Sequence, residues 1–569
     1  MTMLVDRRVD GWYVDEERLP GVDVEATRAF RSLGYWPDKT LGDMIQESAA
    51  RFPGRTALVV GDRRVSYSEI DDLSNRLALG FFEHGIGPGD MVAVQLPNGL
   101  EHVLTVFALA KVGAVCNIIV PMMRENEVGY ILNHCRSKAI VIPHYYGKFD
   151  YPKMVEGLSK SVPSLTTVIV TGEVTHLSGL ISFDELLKGP KKFHPSNQLA
   201  QLRPHPDDVS LVGFTSGTTA QPKAYLHTHN TEYANSYSCM LADSYRDIGK
   251  PGVNIALPGF AWMYGRWCNL FSGVLEGAAN VIVDPFTPEA VFEAIRKESA
   301  THLHGAPAVF RALLDKLLVL QDSGTSPIAA FHYAGSTMSF EMAKQLRSRA
   351  QLLTCYGLSE ISPVCANSFQ DPPDVQIRTS GRPTLGNKVV IMDSEGNSLQ
   401  AEKEGEICVS GPGLTLGYLR QAEANAAAFV DAGFFKTGDL GFLDKSGNLN
   451  ITGRSKDVID RGGVKFSPRE VEELLLAHPA IKGAAVVGMP DPKLGERSCA
   501  FVVTVEDGKS VELHEVVDFL RGKGLATHKL PERLEIIDTL PTTATGKVQK
   551  YILRKRVAEQ ISQETGIRL

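Results

Sequence analysis

The sequence predicts an α/β protein with a large N-terminal domain of doubly wound α/β layers, a small β-rich subdomain and a small α+β C-terminal domain. The chain has 569 residues, too many for one ordinary domain. Short apolar runs alternate with helix-like stretches over residues 57–170 and again over 290–354. This alternation is typical of a doubly wound sheet. The pattern changes near Arg382 and again near Arg454, which predicts the two smaller parts.

The first region supplies the clearest elements. Ser66, three residues before Glu69, predicts a capping box at the start of a helix. The most apolar stretch, 103–120, is broken by Lys111 and Gly113, so we expect a helix followed by a buried strand and not a membrane span. We expect strands at 57–60, 91–95, 115–120, 139–142 and 167–170, and helices at 67–82 and 100–112.

In the second region, strands expected at 330–333 and 352–354 end beside Gly335 and Tyr356, where α/β sheets bind ligands. Short strands with Gly- and Asp-rich turns then predict the β-rich subdomain at 382–453. We assign 1–454 to the N-terminal domain, 455–456 to the boundary and 457–569 to the C-terminal domain. The expected C-terminal elements are helices at 468–477, 514–521 and 551–558 and strands at 483–488, 500–505 and 533–537.

Composition excludes several classes of function. The net charge of −7 and the absence of a basic run argue against nucleic acid as a partner, so local lysines and arginines must meet any anionic substrate. The eight cysteines are scattered without a Cys-x-x-Cys, which indicates neither a zinc site nor a disulfide framework. The first twenty residues lack the apolar segment of a secretory signal. We therefore expect a cytoplasmic protein without a membrane partner.

A hydroxyl-rich loop follows the strand expected at 209–214. The loop lies between two apolar runs, and its hydroxyls and backbone N–H groups can converge on phosphate oxygens. It is not a Walker A loop, because Pro222 precedes the lysine where that motif has glycine. The alternative is a polar surface turn. The candidate phosphate ligands are Thr215, Ser216, Gly217, Thr218, Thr219 and Lys223.

Five further strings follow in a fixed order. They are Tyr356-Gly357-Leu358-Ser359-Glu360, Lys436-Thr437-Gly438-Asp439, Gly453-Arg454-Ser455-Lys456-Asp457, Gly462-Gly463-Val464-Lys465 with Glu470-Val471-Glu472, and Thr545-Gly546-Lys547. In this order they resemble the adenylate-forming superfamily of acyl-CoA synthetases, peptide-synthetase adenylation domains and luciferases. The resemblance runs from about Leu41 to about Arg556. Strings such as Gly34-Tyr35-Trp36 and Arg461-Gly462-Gly463 look like the branch of cyclohexanecarboxylate-CoA ligases and 2,3-dihydroxybenzoate-AMP ligases.

The resemblance implies an ATP- and Mg²⁺-dependent ligase. Such an enzyme activates a carboxylic acid as an acyl-adenylate and transfers the acyl group to CoA. A carrier-protein thiol or an amine is the alternative acceptor, because either could react with the same adenylate. Catalysis of this phosphoryl chemistry consists of positioning and charge stabilisation.

The resemblance also implies a role for each matched residue. Lys547 would bridge the acyl carboxylate and the α-phosphate, and Glu360 would hold Mg²⁺. Thr215 would join them as a catalytic residue. Tyr356 would stack on the adenine, with Gly335 and Ser336 on its other side, and Asp439 and Arg454 would contact the ribose. Gly357, Ser359 and Lys456 also belong to the implied cofactor-binding site. Lys456 would be the hinge between the domains, and Gly463 and Lys465 would line the pantetheine tunnel for CoA.

The residues alone leave other interpretations open. Lys547 and Lys456 could lie in solvated turns, and Asp439 and Arg454 could form a structural salt bridge. Glu360 could be a helix N-terminal acid that interacts with the dipole. His227 and His229 are better explained by a strand-edge position than as metal ligands, since no third ligand is evident.

The chain departs from the family's pattern in two places. It has Ala220 and Ala224 where glycines are usual, and Ser359 where threonine is usual. An alanine that must adopt positive φ would strain the loop and slow adenylation.

The expected acid pocket differs from that of the hydroxybenzoate ligases. Trp262 stands where they have the asparagine that meets an ortho-hydroxyl. The residues at this place predict a mainly apolar pocket for a ring or a medium-sized acid, with ordinary core packing as the alternative. They are Ala261, Trp262, Met263, Gly335 and Cys355.

Overall fold

The computed structural model describes residues 5–8, 11–173, 179–189, 195–215, 222–243, 249, 251–322, 324, 326–336, 338–430, 433–505, 511–542 and 547–565. These residues confirm the predicted α/β fold. Two large sheets with helices make up most of the chain, a smaller sheet follows, and a distinct C-terminal domain has its own sheet.

The elements before residue 384 form the two large sheets with their helices, a three-stranded sheet near the N-terminus and one separate pair of short strands. The strands are β1 (Asp6–Arg8), β2 (Gly11–Val14), β3 (Glu17–Arg18), β4 (Thr56–Val60), β5 (Arg63–Ser66), β6 (Met91–Val94), β7 (Val115–Ile118), β8 (Ala139–Pro143), β9 (Tyr145–Tyr146), β10 (Phe149–Asp150), β11 (Thr167–Thr171), β12 (Ile181–Ser182), β13 (Val209–Thr215), β14 (Lys223–Thr228), β15 (Val253–Ala256), β16 (Ala279–Ile282), β17 (His302–Gly305), β18 (Ala330–Tyr333), β19 (Gln351–Leu358), β20 (Ile361–Ala366) and β21 (Arg382–Pro383). The helices are α1 (Val24–Ser32), α2 (Leu41–Arg51), α3 (Tyr67–Glu83), α4 (Leu100–Val112), α5 (Glu125–Cys135), α6 (Tyr151–Leu158), α7 (Phe183–Leu187), α8 (Pro195–Leu202), α9 (His229–Asp243), α10 (Met263–Gly265), α11 (Ser272–Glu276), α12 (Pro288–Glu298), α13 (Pro307–Asp322), α14 (Phe340–Arg347) and α15 (Pro373–Arg378). A π-helical turn, Arg266–Phe271, joins α10 to α11.

The strand order of both large sheets requires crossover connections. The seven-stranded sheet has the order β12-β11-β8-β6-β7-β13-β14, and the nine-stranded sheet has the order β21-β20-β19-β18-β17-β15-β16-β4-β5. The central strands are parallel, and antiparallel strands lie at one edge of the first sheet and at both edges of the second. The carboxyl ends of the central strands therefore meet at one side of each sheet, where ligands bind in such folds.

Helix α4 shows why the core lies between these sheets. Every residue of α4 except Glu101 is buried, as expected of a helix that is apolar all round. Its core cluster includes Val94 of the seven-stranded sheet and Leu58 of the nine-stranded sheet. The stretch 103–120 is thus a helix and a buried strand, as the sequence predicts. Among the described residues, no helix combines the length and the apolar character needed to cross a membrane.

Helix α3 begins where the sequence predicts. The Ser66 side chain accepts a hydrogen bond from the Glu69 backbone N–H, and the Glu69 side chain accepts one from the Ser66 N–H. This capping box satisfies two of the N–H groups that a helix start leaves without partners.

The rest of the chain forms two further sheets. The first has strands β22 (Lys388–Met392), β23 (Gly405–Ser410), β24 (Phe429–Val430), β25 (Phe434–Leu443) and β26 (Leu449–Arg454), with helix α16 (Ala422–Ala428). The second has β27 (Ile459–Arg461), β28 (Val464–Phe466), β29 (Ile481–Asp491), β30 (Gly495–Thr504) and β31 (Arg533–Ile536), with helices α17 (Pro468–Leu475), α18 (Leu513–Gly522) and α19 (Lys550–Thr565). A 3-10 turn, Ser455–Asp457, separates the sheets. The boundary predicted at 455–456 falls on this turn.

A fully buried ion pair joins three parts of the N-terminal domain. Arg266, in the π-helical turn, donates from Nε to Glu232 Oε2 of α9 over 2.5 Å, and both side chains are inaccessible to solvent. Ser210 of β13 donates to Glu232 Oε1 over 2.7 Å. Burial alone would raise the pKa of Glu232, but the charge and hydrogen bonds of Arg266 outweigh it and lower that pKa. The pair therefore links β13, α9 and the π-helical turn Arg266–Phe271.

We predict that Glu232→Gln strongly destabilises the protein. The change leaves the Arg266 guanidinium charged and buried without its counter-ion, which typically costs about 3–5 kcal/mol. The measurement is the urea midpoint of unfolding followed by tryptophan fluorescence. Asp322→Asn, which breaks an exposed pair with Arg349, is the control and should leave the midpoint nearly unchanged. Equal small shifts for both variants would contradict the prediction.

Candidate active site

The predicted phosphate loop connects two paired strands. Thr215 ends β13, Lys223 begins β14, and their Cα atoms are partners in the antiparallel pair. The hairpin register thus holds the first hydroxyl and the lysine side by side. The candidates Ser216, Gly217, Thr218 and Thr219, and also Ala220, lie outside the described residues.

Ala224 does not strain this loop. It is a buried residue of β14, and its N–H donates to Gln421 Oε1 over 2.9 Å. It is not among the non-glycine residues with positive φ. The departure from glycine at this position therefore carries no backbone cost.

Glu360 lies in the turn between β19 and β20 and not at a helix N-terminus, so the dipole interpretation is wrong. Tyr418 donates to Glu360 Oε1 over 2.7 Å, and the carboxyl is only 6% exposed. Burial raises the pKa of Glu360, while the hydrogen bond from Tyr418 and the charge of Lys223 act against this rise. The Lys223 ammonium lies 5.0 Å from the centre of the Tyr418 ring. Tyr418 therefore holds the lysine of one motif beside the acid of another.

Sequence reasoning missed Tyr418 and the segment that positions it. Thr415 Oγ1 donates to the Leu226 carbonyl over 2.7 Å, and the Tyr418 N–H donates to Asn425 over 2.7 Å. Trp36 Nε1, near the N-terminus, donates to the Pro412 carbonyl over 2.8 Å. Leu226 and Trp36 are distant from this segment in the sequence, so no local motif identifies it. Gly417, with φ of 133°, has a backbone conformation that favours glycine.

Asp439 and Arg454 form the salt bridge that the sequence left open. They are Cα partners on β25 and β26, and Arg454 Nε donates to Asp439 Oδ1 over 2.6 Å. Tyr356 donates to the other carboxylate oxygen over 2.8 Å. Each oxygen has further acceptor capacity, so a hydroxyl pair could still bind here. Binding of ribose by Asp439 and of adenine by Tyr356 stays a prediction.

Lys547 of the C-terminal domain interacts electrostatically with both members of this salt bridge. Burial, and then the positive charge of Arg454, lowers the pKa of Lys547 to about 8, while Asp439 and Asp457 act against this shift. Lys547 is thus not in a fully solvated turn. The preceding residues of its motif, Thr545 and Gly546, lie outside the described residues.

Two hydrogen bonds join the C-terminal domain to strand β26 of the N-terminal domain. Ser467 Oγ donates to the Thr452 carbonyl over 2.7 Å, and Arg469 donates to the Ile451 carbonyl. A Cβ at Gly453 would lie 2.3 Å from Ser467 Oγ, so the glycine permits this close approach.

The predicted hinge residue Lys456 lies in the 3-10 turn. Its carbonyl accepts a hydrogen bond from Arg554 of α19 over 3.0 Å, and Arg554 also pairs with Asp457. Burial, and then the charge of Arg454, lowers the pKa of Lys456. Its role as a hinge stays a prediction.

The residues predicted to bind CoA lie on the hairpin of β27 and β28. Gly463 has φ of 89°, and its N–H donates to Asp460 Oδ1 over 2.8 Å. Lys465 lines a cleft with Arg469, Glu470 and Lys529. The structure thus places both residues on a different segment of the C-terminal domain from Lys547.

The remaining nucleotide candidates lie at the carboxyl ends of β18 and β19. Gly335 has φ of 85°, which favours glycine, and Ser336 follows it at the surface. A Cβ at Gly357 would lie 2.4 Å from Ser362 Oγ. The Ser359 carbonyl is 3.0 Å from His227 Nε2. His227 is therefore a buried structural residue, and the described residues contain no group of three or more His, Cys, Asp or Glu that could hold a metal ion.

Three of the predicted acid-binding residues, Ala261, Trp262 and Met263, lie on a tightly folded segment, whereas Gly335 follows β18 and Cys355 lies on β19. Asn98 accepts a hydrogen bond from the Phe260 N–H over 2.7 Å, and a Cβ at Gly265 would lie 2.2 Å from the Gly259 carbonyl oxygen. Ala261 and Met263 are buried, and Trp262 and Cys355 are partly buried against the same core. Both interpretations of these residues, pocket lining and core packing, are compatible with this burial.

Comparison with protein families gives two matches. Residues 45–419 match the model of the AMP-binding enzymes, and residues 470–547 match the model of the AMP-binding enzyme C-terminal domain. The matches include Lys223, Glu360 and Lys547, whereas Asp439, Arg454, Lys456, Gly463 and Lys465 lie between the two matched regions.

Individual relatives cover nearly the whole chain. The medium-chain fatty-acid–CoA ligase of Escherichia coli (strain K12) is 32% identical over 94% of this chain and 94% of its own length. The 2,3-dihydroxybenzoate-AMP ligase of Bacillus subtilis (strain 168) is 31% identical over 94% of this chain and 97% of its own. The crystal structure of ATP-bound MatB from Rhodopseudomonas palustris has the same fold, with a TM-score of 0.81, 23% identity and coverage of 91% of this chain and 99% of that one.

Proposed function

The chain belongs to the family of AMP-binding enzymes, and we propose that it is an AMP-forming acid–CoA ligase for a cyclic or medium-chain carboxylic acid. The observation that carries this proposal is the electrostatic interaction of Lys547, a C-terminal-domain residue, with the Asp439–Arg454 pair of the N-terminal domain. A cation that a separate domain contributes to a partly buried site suits a reaction between two anions, because it can neutralise their charge.

In the first half-reaction a carboxylate oxygen attacks the α-phosphorus of ATP. A new P–O bond forms, the bond to the β-phosphate breaks, and pyrophosphate leaves with that electron pair. Lys547 would neutralise the carboxylate and the α-phosphate as they approach each other, and Lys223 and the hydroxyl of Thr215 would bind the departing phosphates. The protein contributes positioning and charge here, without a covalent step of its own.

Glu360 is suited to hold Mg²⁺. Its carboxylate is buried beside Lys223, with one oxygen bound by Tyr418. Carboxylate oxygens are ligands that magnesium prefers, and it usually takes one or two of them together with phosphate oxygens. When bound, the ion would offset the charge of the phosphates. Tyr418 would orient the carboxylate toward that ion.

In the second half-reaction the thiol sulfur of CoA attacks the acyl carbonyl. A C–S bond forms, the bond from the acyl carbon to AMP breaks, and the thiol proton passes to solvent. For this step we propose that the C-terminal domain rotates about Lys456 and brings Gly463 and Lys465 to the site in place of Lys547. Rotation would require the contacts of Arg469 with Ile451 and of Ser467 with Thr452 to break.

Two further assignments complete the proposal. The acceptor is CoA, with a carrier-protein thiol or an amine as the alternative, and the acid lies against Ala261, Trp262, Met263, Gly335 and Cys355. We place the reaction in the cytoplasm, because the eight cysteines are scattered along the sequence without the spacing of a disulfide framework.

A panel of acids tests this function directly. Pyrophosphate release is measured with ATP, Mg²⁺ and aliphatic, alicyclic or aromatic acids, each with and without CoA. We expect release with at least one ring or medium-chain acid, and a thioester product when CoA is present. Thioester formation only with a carrier protein, or amide formation with an amine, would favour the alternative acceptor. Absence of release with every acid and acceptor would contradict the proposal.

We predict that Lys547→Ala slows adenylation and largely spares transfer. Loss of one charge-stabilising donor typically costs about 10²–10³ in rate, and we propose that Lys547 acts in one domain orientation only. Pyrophosphate release measures the first half-reaction, and thioester formation from synthetic acyl-adenylate measures the second. Lys445→Ala is the control, because it removes an exposed lysine that is distant from Lys547 in the sequence. Wild-type adenylation by the Lys547 variant would refute its role.

The pH dependence of adenylation follows from the same lysine. Only its protonated form can neutralise the two anions, so kcat/KM for ATP should fall by about tenfold per pH unit above the free-enzyme pKa of about 8. Lys547→Arg keeps its charge over this range, so its slower reaction should not show the decline. A wild-type profile that stays flat to about pH 9.5 would contradict this prediction.

A further inference from the structure

Three histidines meet on one face of the nine-stranded sheet. His302 and His304 are two residues apart on β17, so their side chains point to the same face. His304 is the Cα partner of His332 on β18. The rings of His304 and His332 stack with 4.3 Å between centroids and 9° between planes. All three side chains are buried, so an imidazole cluster lies inside the protein at the carboxyl ends of two central strands.

This cluster adjoins the residues proposed to bind the acid. Tyr264, two residues after Trp262, has its hydroxyl 3.4 Å from His304 Nδ1. On the next strand, Leu353 is the Cα partner of His332. Because side chains alternate along a strand, Cys355 lies on the same face as His332, one step nearer the carboxyl end. The imidazoles therefore border the proposed acid pocket from the sheet side.

His304 has a polar atom that nothing in the described chain satisfies. Its side chain is completely buried, and Nε2 makes no hydrogen bond to any described residue. A buried donor or acceptor without a partner is destabilising, and native proteins keep few of them. The geometry among the described residues does not suit a metal ion. A substrate group or a water molecule remains as the partner of Nε2.

The charge of the cluster indicates which substrate group fits. Burial, followed by the neighbouring His332 and His302, lowers the pKa of His304 well below its usual value, so the ring is neutral at physiological pH. A second carboxylate would then be buried without a counter-charge, which is costly. A neutral imidazole has one donor and one acceptor nitrogen, and a hydroxyl can bind either one. The cluster therefore favours a hydroxyl.

We propose that the acid activated by this protein carries a hydroxyl group on the part of the molecule remote from its carboxylate, and that His304, oriented by Tyr264, is the specificity-determining residue that binds it. This inference rests on the proposed acid–CoA ligase function. It differs from the ortho-hydroxyl recognition of the hydroxybenzoate ligases, because Trp262 occupies that position here and the imidazole belongs to strand β17 of the sheet.

Matched pairs of acids test the inference in the wild-type enzyme. The pairs are benzoate with 3- and 4-hydroxybenzoate, cyclohexanecarboxylate with its 4-hydroxy derivative, and octanoate with 8-hydroxyoctanoate. We compare kcat/KM for pyrophosphate release within each pair. The hydroxy acid should be preferred by about tenfold or more in at least one pair, because a site built to bind a hydroxyl rejects the analogue that lacks it.

Two variants then assign the preference to His304. His304→Phe keeps a flat ring but removes both nitrogens, so the ratio of kcat/KM values within each pair should fall to about twofold or less. His304→Gln keeps a donor and an acceptor and should retain part of the preference. If His304→Phe does not fold, as judged by circular dichroism and thermal unfolding, Tyr264→Phe replaces it. This variant removes only the hydroxyl beside Nδ1 and should reduce the preference.

The outcomes separate this inference from the function on which it rests. Equal kcat/KM values within every pair, or a preference that survives both His304→Phe and Tyr264→Phe, would show that water satisfies Nε2 and would overturn the inference alone. Absence of release with every acid, including those of the first panel, would overturn the proposed function and the inference with it. A preference lost in His304→Phe and partly kept in His304→Gln supports both.

Discussion

The buried ion pair of Glu232 and Arg266 is the interaction on which the N-terminal site depends. Two charges removed from water are costly unless each has a counter-charge, and here Ser210 and Trp267 donate further hydrogen bonds to the carboxylate of Glu232. The geometry of the pair is therefore demanding. The ion pair fixes strand β13, which leads into the phosphate hairpin, relative to the π-helical turn Arg266–Phe271, which follows the acid-binding segment. The phosphate and the acid must meet within bonding distance, so this fixed relation is a requirement of the proposed reaction.

The proposed site is assembled from four distant parts of the chain. The N-terminal segment holds Pro412 through Trp36, and the segment that follows Pro412 carries Tyr418, which contacts both Glu360 and Lys223. The strand pair β25 and β26 aligns Asp439 with Arg454. The C-terminal domain brings Lys547 to that pair. A cation contributed to the first domain by a second domain suits the proposed pair of half-reactions, which would need different cations at the same place.

Local sequence pattern was sufficient for most of the fold. Helix α4 and strand β7 were predictable because Gly113 separates a mainly apolar helical stretch from a short apolar strand. Helix α3 was predictable from its capping box. Expected strand ends differ from observed ones by a few residues, as at β29, where a predicted six-residue strand is Ile481–Asp491. Pairing with the long strand β30 extends it. The family followed from five short strings in a fixed order, which chance does not produce.

The sequence by itself determined the α/β class, the family and the identity of Lys547, Glu360, Asp439 and Arg454 as candidates, because these depend on periodicity and on motifs that are continuous in the chain. Only the tertiary structure decided that Asp439 pairs with Arg454, that Glu360 lies in a hairpin turn beside Tyr418 and that His304 stacks on His332 against Tyr264. The physical reason is that these contacts join residues between 15 and 58 positions apart. Strand order, register and burial bring such residues together, and none of these can be read from the chemistry of neighbouring residues alone.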